Sequence, residues 1–426
     1  MTDPHDDPVR RQYEQFPYPH RDPADEATRL ITGSPSHLAE IRHYLYAGRL
    51  DVTRGFKALV AGGGTGDAAI MLAQQLADAG GGQVIYLDMS TAAREIAEAR
   101  ATARGLTNIS FVTGSLLELD ALALGGFDYI DCCGVLHHLE DPPSGARALA
   151  DALRPDAARV GGGLGVMVYA PYGRTGVYPM QRMLAQLAGD RPLRDQVATA
   201  RRLWDRLPAG NWLRRNPFVG DHKRSDAELV DLLLHARDRS YTVPEVAELL
   251  AAGGLRPVAF LEPARYEPAT YLSDPKLLQP LAEAGLVDRA GFAERLTGTM
   301  KKHIAYAVPA GADDPVAAPD AAAVPVMPGS DPTAMADRLA GASPKLTIAL
   351  DGEKRSFPLP RLSAPILRRV DGTRTLGELV QALCTQDAGL TPETARRQVD
   401  QLYAVLNGIN LMLLRRGNSR TAPERR

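Results

Sequence analysis

The sequence predicts an α/β protein: a doubly wound, mainly parallel sheet with a helical insertion, followed by a small α+β domain. Three observations predict it. Between residues 57 and 169, short apolar runs that break at glycine or aspartate alternate with Ala/Leu/Glu-rich stretches of helical character. The turns joining them are short, which favours strand–helix–strand crossovers and hence parallel pairing. The chain has 426 residues, more than one compact core usually holds, so two or three domains are expected.

In chain order, residues 1–33 read as an N-terminal arm. Its prolines argue for extended chain rather than regular helix. Tyr13, Phe16 and Tyr18 crowd one stretch of it, either to staple the arm to the main domain or to roof a site. Residues 34–49 are helical in pattern, and a main domain is expected over 34–308. Strands are predicted at 57–61, 83–87, 108–112, 127–131 and 164–169, with helices at 68–79, 91–104 and 144–153 between them. Gly105 suits a helix C-cap, and Pro155 follows the third helix. A mostly helical insertion, 171–250, interrupts the alternation, which resumes with strands at 255–261 and 303–308. Residues 309–343 have the Ala/Pro/Gly/Asp composition of a linker. The small domain, 344–416, reads as two strands about an Asp351-Gly352 turn and then three helices; 417–426 reads as a disordered tail.

Composition excludes more than it identifies. Hydrophobic residues make up 45% and charged residues 23%, as in an ordinary globular protein. A net charge of −2 gives no global case for binding nucleic acid or an acidic membrane. Cys132, Cys133 and Cys384 are too few for a disulfide framework and lack the spacing of a zinc site, so no metal and a reducing cytoplasm are expected. The first residues are acidic rather than signal-like, and no apolar run is long enough to span a bilayer.

The chemistry is expected at the turn Gly62-Gly63-Gly64-Thr65-Gly66 after the first strand. Glycines there allow a sharp turn and close ligand approach. Taken alone, this turn suits a dinucleotide as well as other nucleoside cofactors, and Asp88 at the end of the second strand suits a ribose diol in either case. The segment from Phe127 to Pro142, with Asp131-Cys132-Cys133-Gly134-Val135-Leu136-His137-His138-Leu139-Glu140-Asp141-Pro142, closely resembles the segment after the fourth strand of class I methyltransferases dependent on S-adenosylmethionine. Leu153-Arg154-Pro155 resembles the end of the family's next helix, and the resemblance extends over about 49–308.

That resemblance implies a Rossmann-like seven-stranded sheet with S-adenosylmethionine as cofactor and S-adenosylhomocysteine as product. It implies that Gly62, Gly64 and Gly66, with Gly63 between them, pass the methionine part, that Asp88 holds the ribose and that Met89 lies against adenine. Two departures follow: Val60 stands where the family usually has an acidic residue, and Gly114-Ser115 where it usually has an aspartate. Ser115 can still offer an oxygen, and Asp67 could supply the missing acidity. Cys132 and Cys133 are expected as pocket walls.

His137 and His138 are base candidates, or merely the floor of the cofactor site. In the loop 169–178, Tyr172 and Arg174 are candidates for acceptor binding, through an aromatic face and a carboxylate-pairing guanidinium. His222 and His235 are possible lid residues in otherwise solvated charged segments. The terminal domain resembles small winged-helix modules found beside peptide-modifying enzymes, without a basic recognition helix, and could bind peptide or mediate homodimerisation. The acceptor is expected to be a protein or peptide side chain, or a small molecule. A nicotinamide-dependent oxidoreductase and a non-catalytic scaffold are the rival readings.

Overall fold

The computed structural model describes residues 7–339, 341 and 343–417, with the side chain of residue 160 excepted. The predicted tail lies outside the described residues apart from its first position. Seven strands form one sheet: β1 (Lys57–Ala61), β2 (Gln83–Asp88), β3 (Ile109–Thr113), β4 (Tyr129–Cys133), β5 (Gly163–Tyr169), β6 (Leu255–Leu261) and β7 (Lys302–Pro309). Their order is β3-β2-β1-β4-β5-β7-β6. The pairs from β3 through β5 are parallel, while β7 runs antiparallel to both β5 and β6. The strand order reverses between β1 and β4, and the carboxyl ends of strands at such a switch point form a crevice for ligand.

Burial follows from composition. β1 is apolar on both faces because helices cover both sides of the sheet, and β4 is likewise buried on both faces, its run broken only by Asp131. On one face Leu59, Ile130 and Cys132 pack with Leu149 and Val246; on the other Val60 and Tyr129 pack with Ile41, Tyr44 and Leu72. The insertion forms its own layer, in which Val177, Met180 and Leu184 meet Leu229, Val230 and Leu233.

Two expectations are corrected. Pro8–Gln15 of the arm is an α-helix, because Pro8 occupies the first turn, where its missing N–H costs nothing, and Asp7 caps it. The predicted linker is folded: β8 (Val324–Val326) and the helix Pro332–Arg338 lie within it, and Ala323, Met327 and Met335 join the C-terminal core. Beyond it come β9 (Lys345–Leu350), β10 (Glu353–Pro358), three helices and β11 (Leu413–Arg415). β9 pairs antiparallel with β10, and β11 pairs antiparallel with β8. No helix among the described residues is long and apolar enough to cross a membrane.

Candidate active site

A cavity of about 540 Å³ opens at the switch point. Gly62, Gly63, Gly64, Asp88 and Met89 line one end, together with Ser115. His138, Tyr169, Arg174 and Asp231 line the other, under Tyr13 and Tyr18 of the arm.

The glycine turn is dictated by its surroundings. Gly64 has φ +52°, and a Cβ there would lie 2.7 Å from the Tyr18 carbonyl oxygen of the arm. Asp88 is buried; its Oδ2 accepts the Gly64 N–H at 2.7 Å and its Oδ1 the Ser90 N–H at 2.8 Å. Burial pushes its carboxyl up and these backbone bonds pull it down. Each oxygen keeps a lone pair, so the carboxylate suits a vicinal diol brought in beside the turn.

At the other end, Asp231 on the helix Asp226–Leu233 accepts the Tyr13 hydroxyl at 3.1 Å and the Tyr169 hydroxyl at 3.0 Å. Desolvation raises its carboxyl to about 6, and the two hydroxyls lower it. His235 lies 3.0 Å from the Tyr13 oxygen through Nε2, and its Nδ1 accepts the Arg237 N–H, so Nε2 carries the proton. His138 stacks on His235 with ring centroids 3.6 Å apart. Its Nδ1 lies 2.7 Å from the Arg237 carbonyl oxygen, which requires Nδ1–H and leaves the lone pair on Nε2. Burial lowers its pKa to about 4, so it is neutral at physiological pH and a weak base.

The remaining expected site residues separate. Gly66 takes φ +103° as the residue before the helix Asp67–Asp78 and packs on Ala97 instead of lining the cavity. Cys133 lines the cavity, whereas Cys132 points to the opposite face of β4 and is buried in the apolar core, as the two-residue period of a strand demands. His137 is also buried away from the cavity, against His138 and Tyr169, and both its ring nitrogens lack a partner among the described residues. Tyr172 is 37% exposed and outside the cavity. The loop there is pressed onto β7's entry, where a Cβ on Gly173 would lie 2.2 Å from the Thr299 carbonyl, and the ring is left at the surface.

Arg174 lines the cavity, but its Nη2 donates to Asp238 at 2.8 Å and its guanidinium lies 3.6 Å from the Tyr169 ring centroid. It is already paired in a buried ion pair and does not present itself to a ligand carboxylate. Asp67, expected near the cofactor's amino group, is instead held by Arg21 (2.8 and 2.5 Å) and Arg100 (2.7 Å). His138, Asp231 and His235 bring possible metal-ligand atoms within 4.8 Å of one another, as do His137, His138 and Asp238. Arg174 bears on all three imidazoles and would oppose a dication there.

Sequence reading missed Asp231 and its tyrosine partners as a unit. Tyr13 and Asp231 are 218 residues apart, and no local pattern joins them.

Residues 59–158 match the family described as a methyltransferase domain. The matched segment reaches from β1 to the residues just before β5. An uncharacterized protein of Synechococcus sp. is 34% identical over 218 residues, a match covering 50% of this chain and 50% of the relative. The chain thus spans about half the length of that curated relative. The structure of PKMT2 from Rickettsia typhi superposes with TM-score 0.62 at 15% identity, over 90% of this chain and 76% of that one. The same protein in complex with AdoHcy gives 0.63 at 15% identity, over 92% and 77%. These two structures share this chain's fold well beyond residues 59–158.

Proposed function

We propose that this protein is an S-adenosylmethionine-dependent methyltransferase that receives its acceptor in the Tyr13–Tyr169–Asp231 end of the cavity. The observation carrying this reading is the single cavity that joins the glycine turn and Asp88 to a buried polar cluster with an imidazole lone pair. When bound, the cofactor would supply an electrophilic methyl on a sulfonium, and S-adenosylhomocysteine would be the product.

The chain's own residues would contribute alignment and exclusion of water. In-line displacement disperses charge, so the gain comes mostly from holding the reacting groups in a dry site. Asp231 fixes the Tyr13 and Tyr169 hydroxyl protons; the Tyr13 oxygen accepts His235 Nε2–H, and the Tyr169 oxygen keeps its lone pairs for an acceptor N–H or O–H. Nε2 of His138 is placed to accept a proton from an acceptor that must lose one. The acceptor is a protein or peptide side chain or a small molecule, and the insertion and C-terminal domain favour the former. The methyltransferase-domain match disfavours both a nicotinamide oxidoreductase and a scaffold.

Calorimetry with S-adenosylmethionine, S-adenosylhomocysteine and NADH tests the reading. Binding of the two sulfur compounds is expected; binding of NADH alone would refute it. Transfer of a labelled methyl group into the protein or small-molecule fraction of a lysate then separates the acceptor classes.

A further inference from the structure

Of the buried carboxylates lining the cavity, one keeps an oxygen with no hydrogen-bond partner among the described residues. Asp67 is paired with two arginines, Asp88 with two backbone amides and Asp231 with two tyrosines. Asp131 lines the cavity too, is 0% exposed, and its Oδ1 has no hydrogen-bond partner among the described residues. Its Oδ2 accepts only neutral donors, the Ser36 hydroxyl at 2.7 Å and the Tyr129 hydroxyl at 3.2 Å. The other charge that bears on it is Glu40, of the same sign. Among the described residues Glu40, itself buried, bonds Ser34, Tyr306 and Asn410, all neutral. A buried carboxylate with an unused oxygen and no counter-charge is costly unless a cation joins it or it takes up a proton, and burial raises this carboxyl to about 6.

The position names the cation. Asp131 stands on β4 in direct register with Val60 on β1, and Val60 precedes Gly62 by two residues. Cys133, two residues on and on the same face of the strand, also lines the cavity. Asp131 therefore sits beside the glycine turn, on the side away from β2 and Asp88. If Asp88 takes the ribose, the amino-acid end of the cofactor lies toward β4. We propose that Asp131 binds the ammonium group of the cofactor's methionine moiety. The inference rests on the S-adenosylmethionine reading and extends it to a residue that no part of that reading requires. Sealed from bulk water, such a charge-assisted contact is worth more than a neutral one.

The test compares two ligands on two proteins. S-adenosylhomocysteine carries the ammonium, and 5′-methylthioadenosine has the same nucleoside without it. In Asp131→Asn, calorimetry should show S-adenosylhomocysteine weakened by about tenfold or more, with methylthioadenosine within about twofold of wild type. Equal losses for both ligands, or none for either, would overturn the assignment. Thermal unfolding checks that the variant is folded; if it is not, Asp131→Ser is read by the same two affinities. Failure of the wild-type protein to bind S-adenosylhomocysteine at all would instead refute the cofactor reading, and this inference with it.

Discussion

Asp88 and Asp231 are both buried carboxylates in one cavity, yet their partners assign them different work. Asp88 is tied to the backbone of the turn that must touch the cofactor. Asp88→Ala should weaken S-adenosylhomocysteine by at least about tenfold, since it removes an acceptor and loosens the Gly64 amide; unchanged affinity in calorimetry would refute the ribose role. Asp231 touches two tyrosine hydroxyls and no part of the glycine turn. Asp231→Asn should therefore leave cofactor affinity within about twofold while lowering methyl transfer by about tenfold or more, because the two hydroxyls lose their fixed orientation. A parallel loss of cofactor affinity would show that the two ends of the cavity are not separate. Of these residues, Asp88 was legible from its place at a strand end, whereas Asp231 sits mid-helix in a segment that reads as an ordinary amphipathic one. Asp131 was visible in its motif, but its unpaired oxygen depends on three elements that meet only in the fold.

The arm is the element whose role changed most between sequence and structure. Its helix Pro8–Gln15 is short, yet the arm as a whole is fastened at many points across the cofactor end of the cavity. The Thr65 N–H and hydroxyl donate to the Tyr18 and Pro19 carbonyls, Glu14 accepts the Thr91 and Ala92 amides, and Arg21 pairs with Asp67. Arg100, 1% exposed, joins Glu26 of the arm to Asp67 and the Thr65 carbonyl, and Arg104 pairs with Glu26 as well. Arg100→Ala would leave Glu26 and Asp67 with less compensation, and breaking such a buried pair costs roughly 3–5 kcal/mol. A large drop in unfolding free energy is expected, while Arg21→Ala, at a side chain 22% exposed, should cost far less; equal effects would show that the buried network does not hold the arm. The seven strands of the main sheet, by contrast, were legible to within two residues, because strands covered on both faces are short apolar runs bounded by glycine and aspartate. The arm's clasp was not, since every one of its ion pairs spans 33 residues or more.

For the whole molecule, the error that matters is the linker. Alanine and proline in 309–343 satisfy a flexible composition, but small residues also allow close packing, and here Ala317, Ala323 and Ala336 are buried. The C-terminal domain is consequently joined to the main one by folded chain and by a seam on the helix Leu38–Leu45. Glu40 and Tyr44 both bond Asn410, and Nδ1 of His43 accepts the Leu414 N–H at 3.0 Å. His43 is fully buried, and desolvation lowers its pKa to about 4. Its sign is fixed by that direction: in the unfolded chain it takes up a proton below about pH 6.5, in the folded one only near 4, so its contribution to stability is lost as pH falls through that window. From pH 7 to 5 the loss from this one group is roughly 2 kcal/mol. His43→Gln removes the titration. The variant should be less stable than wild type at pH 7, where the Leu414 amide loses its imidazole acceptor, and should then lose less on going to pH 5. Urea unfolding at the two pH values measures both differences, and parallel declines would mean that the imidazole at the seam stays as easily protonated in the fold as outside it.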